Sequence, residues 1–226
     1  TEIKTIAGAL NSLLSRLKHA LDREKRITSD AAHELRTPLA AVRLHTELAQ
    51  KASNDDDREI ALENILHGID RTTHLVDQLL ALAKLEPESF SKNLETLYLK
   101  KSVIDEVALL TPNADKKNIE LSVDECEDVD IKADNTSLSL LIRNLINNAI
   151  CYTQEGGKVK AAIIPVKESI DLIIEDNGPG IPAEQRERVF ERFFRMENHD
   201  NPGCGIGLSI VMRVVELHNA TLQMGE

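Results

Sequence analysis

From Ile3 to Val42 the apolar residues fall at helical spacing: Ile3, Ile6, Leu10, Leu13, Leu17 and Leu21, then Ala31, Leu35, Leu39 and Val42. A repeat of three and four residues gathers them on one stripe of an α-helix, so the spacing predicts one long amphipathic helix reaching about Gln50. The polar run "SNDDDRE" interrupts it, with Asn or Asp available to cap a second helix from about Asp57 to Glu86 on Ile65, Ile69, Val76, Leu79 and Ala83. Two long helices on a short loop make an antiparallel hairpin. A lone hairpin leaves apolar surface unpaired, and pairing of two copies into a four-helix bundle buries it.

Near "LEPESFSKN" the pattern breaks at Pro87, Ser89, Ser91 and Asn93, and shorter, mixed periods begin. Strands are expected at Leu94 to Leu99, Ile119 to Val123, Val129 to Ala133, Lys158 to Val166 and Ile170 to Glu175. Helices are expected at about Ser102 to Lys117, Thr136 to Tyr152 and Gly207 to His218, with a charged segment "AEQRERVFERFFR" before the last. Strands interleaved with helices imply a two-layer α/β sandwich, helices on one face of a mixed sheet. The closing "HNATLQMGE" reads as the start of an edge strand or hairpin.

Composition narrows the classes. Aromatic residues make up 3% of the 226, with no Trp, so the core is aliphatic. The net charge of −11 disfavours nucleic acid, which needs a basic patch. Cys126, Cys151 and Cys204 are far apart and lack CxxC spacing, which indicates neither a disulfide framework nor a zinc site and fits a reducing compartment. No apolar run approaches the roughly 18 to 20 residues that span a bilayer.

Four stretches carry chemistry. In "SDAAHELRTPLA" the helical pitch puts His33 and Thr37 on one exposed face, well away from Leu35. The metal motif HExxH fails because its fifth position is Thr37. Glu34 is near enough to accept a ring N–H and set the tautomer, and Pro38 cannot donate to the Glu34 carbonyl, so a bend is expected there. "EDNGPGIP" follows an apolar strand and brings Asp176, Gly178 and Gly180; it is also a good turn. "GCGIGLS" places Gly203, Gly205 and Gly207 ahead of a helix, whose free N–H groups attract phosphate. In "RNLINNAICYT", Asn144 and Asn148 lie one turn apart on one helix face, where side-chain oxygens can meet magnesium and phosphate together.

In this order the stretches resemble the boxes of the bacterial two-component sensor histidine kinases: "AHELRTPL" the H box, "RNLINNA" the N box, "DNGPG" the first glycine box, "FERFFR" the F box and "GCGIGL" the second glycine box. The resemblance divides the chain into the end of a HAMP-like signalling helix at 1–24, a dimerisation and phosphotransfer domain at 25–88, and an ATP-binding sandwich of the GHKL (Bergerat) type at 89–226. It implies autophosphorylation of His33 from ATP, transfer to an aspartate on a response-regulator receiver domain, and phosphatase action on that regulator. Residue by residue, it makes Glu34 the base that polarises His33, Thr37 the orienter of the dephosphorylating water, and Arg195 a partner of the moving phosphoryl group. Asn148 becomes the Mg2+ ligand with Asn144 supporting it, and Asp176 the reader of adenine beside Gly178 and Gly180. Gly203, Gly205 and Gly207 serve the phosphates and the hinge of a lid between about Ile181 and Cys204, with Tyr152, Ile181 and Leu208 completing the pocket. A homodimer, anchored in the inner membrane by upstream segments with this portion cytoplasmic, is implied too.

Two departures stand out. Cys151 occupies a position that is commonly basic in the family, which removes one phosphate contact, and Cys204 and Ile206 are unusual within the second glycine box. A gyrase- or Hsp90-type ATPase would share the pocket but needs a carboxylate base where Asn144 stands, and an amide cannot take a proton from water. A non-catalytic dimeric scaffold would have no use for His33, Asn148 and Asp176 together.

Overall fold

In the computed structural model the described residues are 2–85, 90, 93–167, 169–196 and 205–225. They form two compact units, residues 1–75 and 76–226.

The first unit is helical. α1 runs over Glu2–Lys51 and passes through Pro38, which is buried. α2 runs over Asp55–Lys84 and crosses from the first unit into the second. Its start is capped as the polar run suggests: Asn54 Oδ1 accepts from the Asp57 N–H at 2.7 Å, and Asp55, Asp56 and Asp57 put negative charge at the positive end of the helix dipole. Gly68 sets how closely the helices approach, because a Cβ there would lie 2.5 Å from Val42 Cγ2. Much of the apolar pattern is not buried within this chain. Leu39, Leu44, Leu48, Ile60, Leu62, Leu66 and Ile69 are exposed, far more apolar surface than scattered leucines present on ordinary monomers.

The second unit contains β1 (Leu94–Tyr98), α3 (Leu99–Asp115), β2 (Glu120–Cys126), β3 (Asp130–Asp134), α4 (Asn135–Tyr152), β4 (Lys158–Val166), β5 (Ser169–Asp176) and α5 (Gly207–Leu217). All expected helices of this half are present, and all expected strands except the closing one. The expected single mixed sheet is instead two: β1 pairs antiparallel with β3, while β4 lies between parallel β2 and antiparallel β5. Strand alternation alone does not reveal which strands share hydrogen bonds. In β4, Val159, Ala161 and Ile163 point inward and meet Val103, Leu110, Ile142 and Ile146 from α3 and α4. α5 packs on α4 through an all-aliphatic face of Ile210, Val211 and Val214.

Three further features differ from or refine the sequence reading. The segment "AEQRERVFERFFR" folds as two short 3₁₀ turns, Ala183–Gln185 and Arg188–Phe190. Residues 220–225 form no strand; the N–H groups of His218 and Ala220 close onto the Val214 and Val215 carbonyls, and Asn219 turns the chain at φ +50°. The Ala220 N–H is thereby spent on the helix end. Gly203, Cys204, Pro87, Ser89 and Ser91 lie outside the described residues, and no described helix is long and apolar enough to cross a membrane.

Candidate functional site

The first unit holds His33, Glu34 and Thr37 on α1. His33 and Thr37 are exposed, as the helical pitch requires. The imidazole does not take Glu34 as its partner: Nδ1 lies 3.1 Å from the Ser29 carbonyl, one turn back. A carbonyl only accepts, so Nδ1 carries the hydrogen and Nε2 keeps the lone pair. Ser29 sits four residues upstream on the same stripe, whereas adjacent Glu34 is rotated about 100° away. The Thr37 hydroxyl donates to the His33 carbonyl at 3.5 Å.

The second unit holds the remaining candidates. Asn144 and Asn148 share the face of α4 that meets the start of α5: a Cβ on Gly207 would lie 2.9 Å from Asn144 Oδ1 and 3.5 Å from Asn148 Oδ1. Asn144 is buried, and its Nδ2 donates to the Leu140 carbonyl at 2.7 Å. Gly207 and Leu208 open α5, whose cap residue Ile206 has no side chain to satisfy the first N–H groups. An uncapped helix start beside two amides, brought together by a residue with no room for a side chain, fits a phosphate group and its cation.

β5 delivers Asp176. Its Oδ1 accepts from the Gly178 N–H at 2.9 Å, and Gly178 itself lies against the Tyr152 carbonyl, 3.1 Å from where its Cβ would be. The first glycine loop is thus pressed on the end of α4. Gly180 takes φ +70°, and Arg186 Nε donates to the Ile181 carbonyl at 3.2 Å. Gly205, at φ +67°, accepts at its carbonyl from the Phe193 N–H at 2.8 Å, tying the second glycine box to "FERFFR". Just ahead of that segment, the Arg188 guanidinium stacks 4.4 Å over the Phe194 ring within it. Arg195 lies close enough to Tyr152 to favour its phenolate, against the larger upward push of burial on that phenol.

Several residues here were not singled out from sequence. Lys117 Nζ donates to the carbonyls of Ile150, Cys151 and Thr153 at 3.0, 2.8 and 3.3 Å and so caps the end of α4. Burial pushes the Cys151 thiol up, with the Lys117 ammonium pulling the other way. Arg143 of the N box makes a two-pronged pair with buried Glu106 at 2.8 and 3.1 Å, which holds its guanidinium more firmly protonated. None of these has a local signal, since each partner lies more than thirty residues away.

Comparison with known proteins finds two family models along the chain. The family model described as "His Kinase A (phospho-acceptor) domain" matches residues 23–88, and that described as "Histidine kinase-, DNA gyrase B-, and HSP90-like ATPase" matches residues 133–226. The chain belongs to the sensor histidine kinases and carries their phospho-acceptor and ATPase domains. It is 38% identical to Sensor protein QseC of Salmonella typhi over 227 aligned residues, covering 100% of this chain and 50% of QseC. It is 35% identical to Sensor protein kinase PmrB of Pseudomonas aeruginosa, covering 100% of this chain and 47% of PmrB. The chain therefore spans about half the length of these curated relatives. The fold also matches histidine kinase ThkA, solved in complex with response regulator protein TrrA, with a TM-score of 0.68 at 22% identity over 86% of this chain and 55% of that one.

Proposed function

We propose that this chain phosphorylates itself on His33 at the expense of ATP and passes the phosphoryl group to an aspartate of a response-regulator receiver domain. The observation that carries it is the setting of His33: an exposed imidazole whose Nδ1 lies against the Ser29 carbonyl, which leaves the lone pair on Nε2. Attack by Nε2 on the γ-phosphorus forms the N–P bond as the bond to the ADP oxygen breaks. Phosphoryl transfer asks mainly for position and charge neutralisation, and neutral imidazole is abundant near pH 7.

The other roles follow from where the side chains stand. Gly178 holds one Asp176 oxygen and leaves the other to accept from the adenine amino group. The uncapped N–H groups of Gly207 and Leu208 receive phosphate oxygens, and Gly180, Ile181, Gly205 and Tyr152 shape the rest of the pocket. Asn148 would hold Mg2+ with Asn144 in support; the ion, when bound, neutralises phosphate charge. Arg195 adds positive charge from beside Tyr152. Glu34 orients His33 only after its ring leaves Ser29, and Thr37 serves the water that dephosphorylates the regulator once its hydroxyl leaves the His33 carbonyl.

The chain works as a homodimer through the exposed apolar stripe of the hairpin. Residues 1–24 are the end of a HAMP-like helix, 25–88 the dimerisation and phosphotransfer domain, and 89–226 the catalytic domain. The full protein is anchored in the bacterial inner membrane by segments upstream, with this portion cytoplasmic. Transfer to a regulator is supported by the phospho-acceptor domain matched at residues 23–88.

The test is incubation with γ-labelled ATP and magnesium beside His33→Gln. Acid-labile, alkali-stable label on the wild type alone is expected. Full labelling of the variant would overturn the assignment of His33.

A further inference from the structure

The last turns of α2, from Val76 on, belong to the second unit and rest on the helices that bound the nucleotide site. Gln78 Nε2 donates to Asn144 Oδ1 at 3.5 Å, the same oxygen that lies against Gly207. With Nδ2 given to the Leu140 carbonyl, both ends of the Asn144 amide are engaged. Gln78 Oε1 is buried without a donor among the described residues. An acceptor left in that state is costly, and water satisfies it as soon as the helix end lifts away.

Two more contacts seat the same segment. The carbonyl of buried Leu85 accepts from Arg213 Nε at 3.3 Å, and the Phe90 ring meets His218 edge-on at 4.6 Å. Arg213 lies on α5 and His218 caps it, and α5 begins at Gly207, against Asn144. The end of α2 touches the N-box helix through Gln78, and Leu85 and Phe90 beyond it touch the helix that opens on the phosphate site and its cap.

We propose that the end of α2 is a strap on the nucleotide site, and that Gln78 is its positioning residue, holding the Asn144 amide to itself so that strap seating and ATP binding oppose each other. This rests on the reading of Asn144 as a nucleotide-site residue. Turning the Asn144 amide to support a bound nucleotide breaks the Gln78 contact, and release hydrates the orphaned Oε1. The seated state is thus poised to give way when nucleotide binds. Gln78 touches no reacting atom and acts only through Asn144.

Calorimetric titration of this chain with ATP and magnesium, for wild type, Gln78→Ala and Arg213→Met, tests the strap. Loss of one hydrogen bond from the competing state predicts roughly threefold to tenfold tighter binding in each variant. Amide exchange over residues 76–85 should quicken when the wild type binds ATP and be fast from the start in both variants, a readout that a merely structural role would not move. Unchanged or weaker binding in Gln78→Ala, or slower exchange of 76–85 on adding ATP, overturns the proposal. Arg213→Met reports on strap seating without touching Asn144, so a change there with none in Gln78→Ala also overturns the role given to Gln78. Label on His33, measured in the same samples, separates the two ideas. Tighter binding without label sinks the phosphorylation reading alone, and label without tighter binding sinks the strap alone.

Discussion

Replacing Gly207 by alanine sets two physical effects of opposite sign against each other. Alanine exceeds glycine in helix propensity by about 1 kcal/mol in a helix interior, and somewhat less at the first helical position, so a helix start with no other duty is stabilised by the change. At Gly207 the new Cβ would stand 2.9 Å from Asn144 Oδ1 and 3.5 and 3.6 Å from the two amide atoms of Asn148. Ordinary contact begins near 3.4 Å, so Asn144 must move by about half an ångström. It is buried and pinned by its 2.7 Å bond to the Leu140 carbonyl. Holding still stores overpacking strain of about 1 to 3 kcal/mol, and turning away breaks a hydrogen bond of about 1 kcal/mol. Either outcome outweighs the propensity gain or cancels it, and either displaces the Asn144 amide assigned to the nucleotide. Thermal unfolding should therefore show no stabilisation and most plainly a loss of about 1 to 2 kcal/mol, while ATP binding by calorimetry weakens about tenfold or more. A variant that melts higher than wild type and binds ATP unchanged would refute the close approach of α5 to the N box.

Other substitutions address the scaffold around the site. Gly68→Ala should lower the melting temperature of the hairpin by the equivalent of about 1 to 3 kcal/mol, because stiff, β-branched Val42 stands 2.5 Å from the new Cβ, and Val42→Ala should restore it. Lys117→Met leaves the carbonyls of Ile150, Cys151 and Thr153 without their cation, and denaturant unfolding should register a loss of about 1.5 to 3 kcal/mol; no change would mean that water caps α4 as well. Tyr152 titrates above its ordinary value of 10.0 through burial, opposed by Arg195, so in a Tyr98→Phe background Arg195→Met should move the tyrosinate absorbance step higher still. The sign for stability follows. A phenol whose folded pKa is raised contributes stability that is full below the unfolded value and is lost as pH rises through the folded one, so the unfolding free energy should start to fall near pH 10.0 and level off once folded Tyr152 has ionised.

Helical and strand periods are local, and so were legible in the residues alone. The stripe from Ile3 to Val42, the polar run at Asn54 and the alternation of Val159, Ala161 and Ile163 each follow from neighbours within a turn or a pleat, and the elements stand where those patterns put them. The order of the five boxes was readable for the same reason, and so was the exposed face shared by His33 and Thr37. Tertiary structure alone decided what crosses the fold: the splitting of the strands into two sheets, the pressing of Gly207 on Asn144, the capping of α4 by Lys117 and the seating of Gln78. The turn of the His33 ring to Ser29 instead of Glu34 is local as well, since the hydrogen bond goes to the group one helical turn away on the same stripe and not to the neighbour in sequence. A contact between residues sixty positions apart leaves no period in the chain, because its free energy comes from packing that exists only once the elements have met.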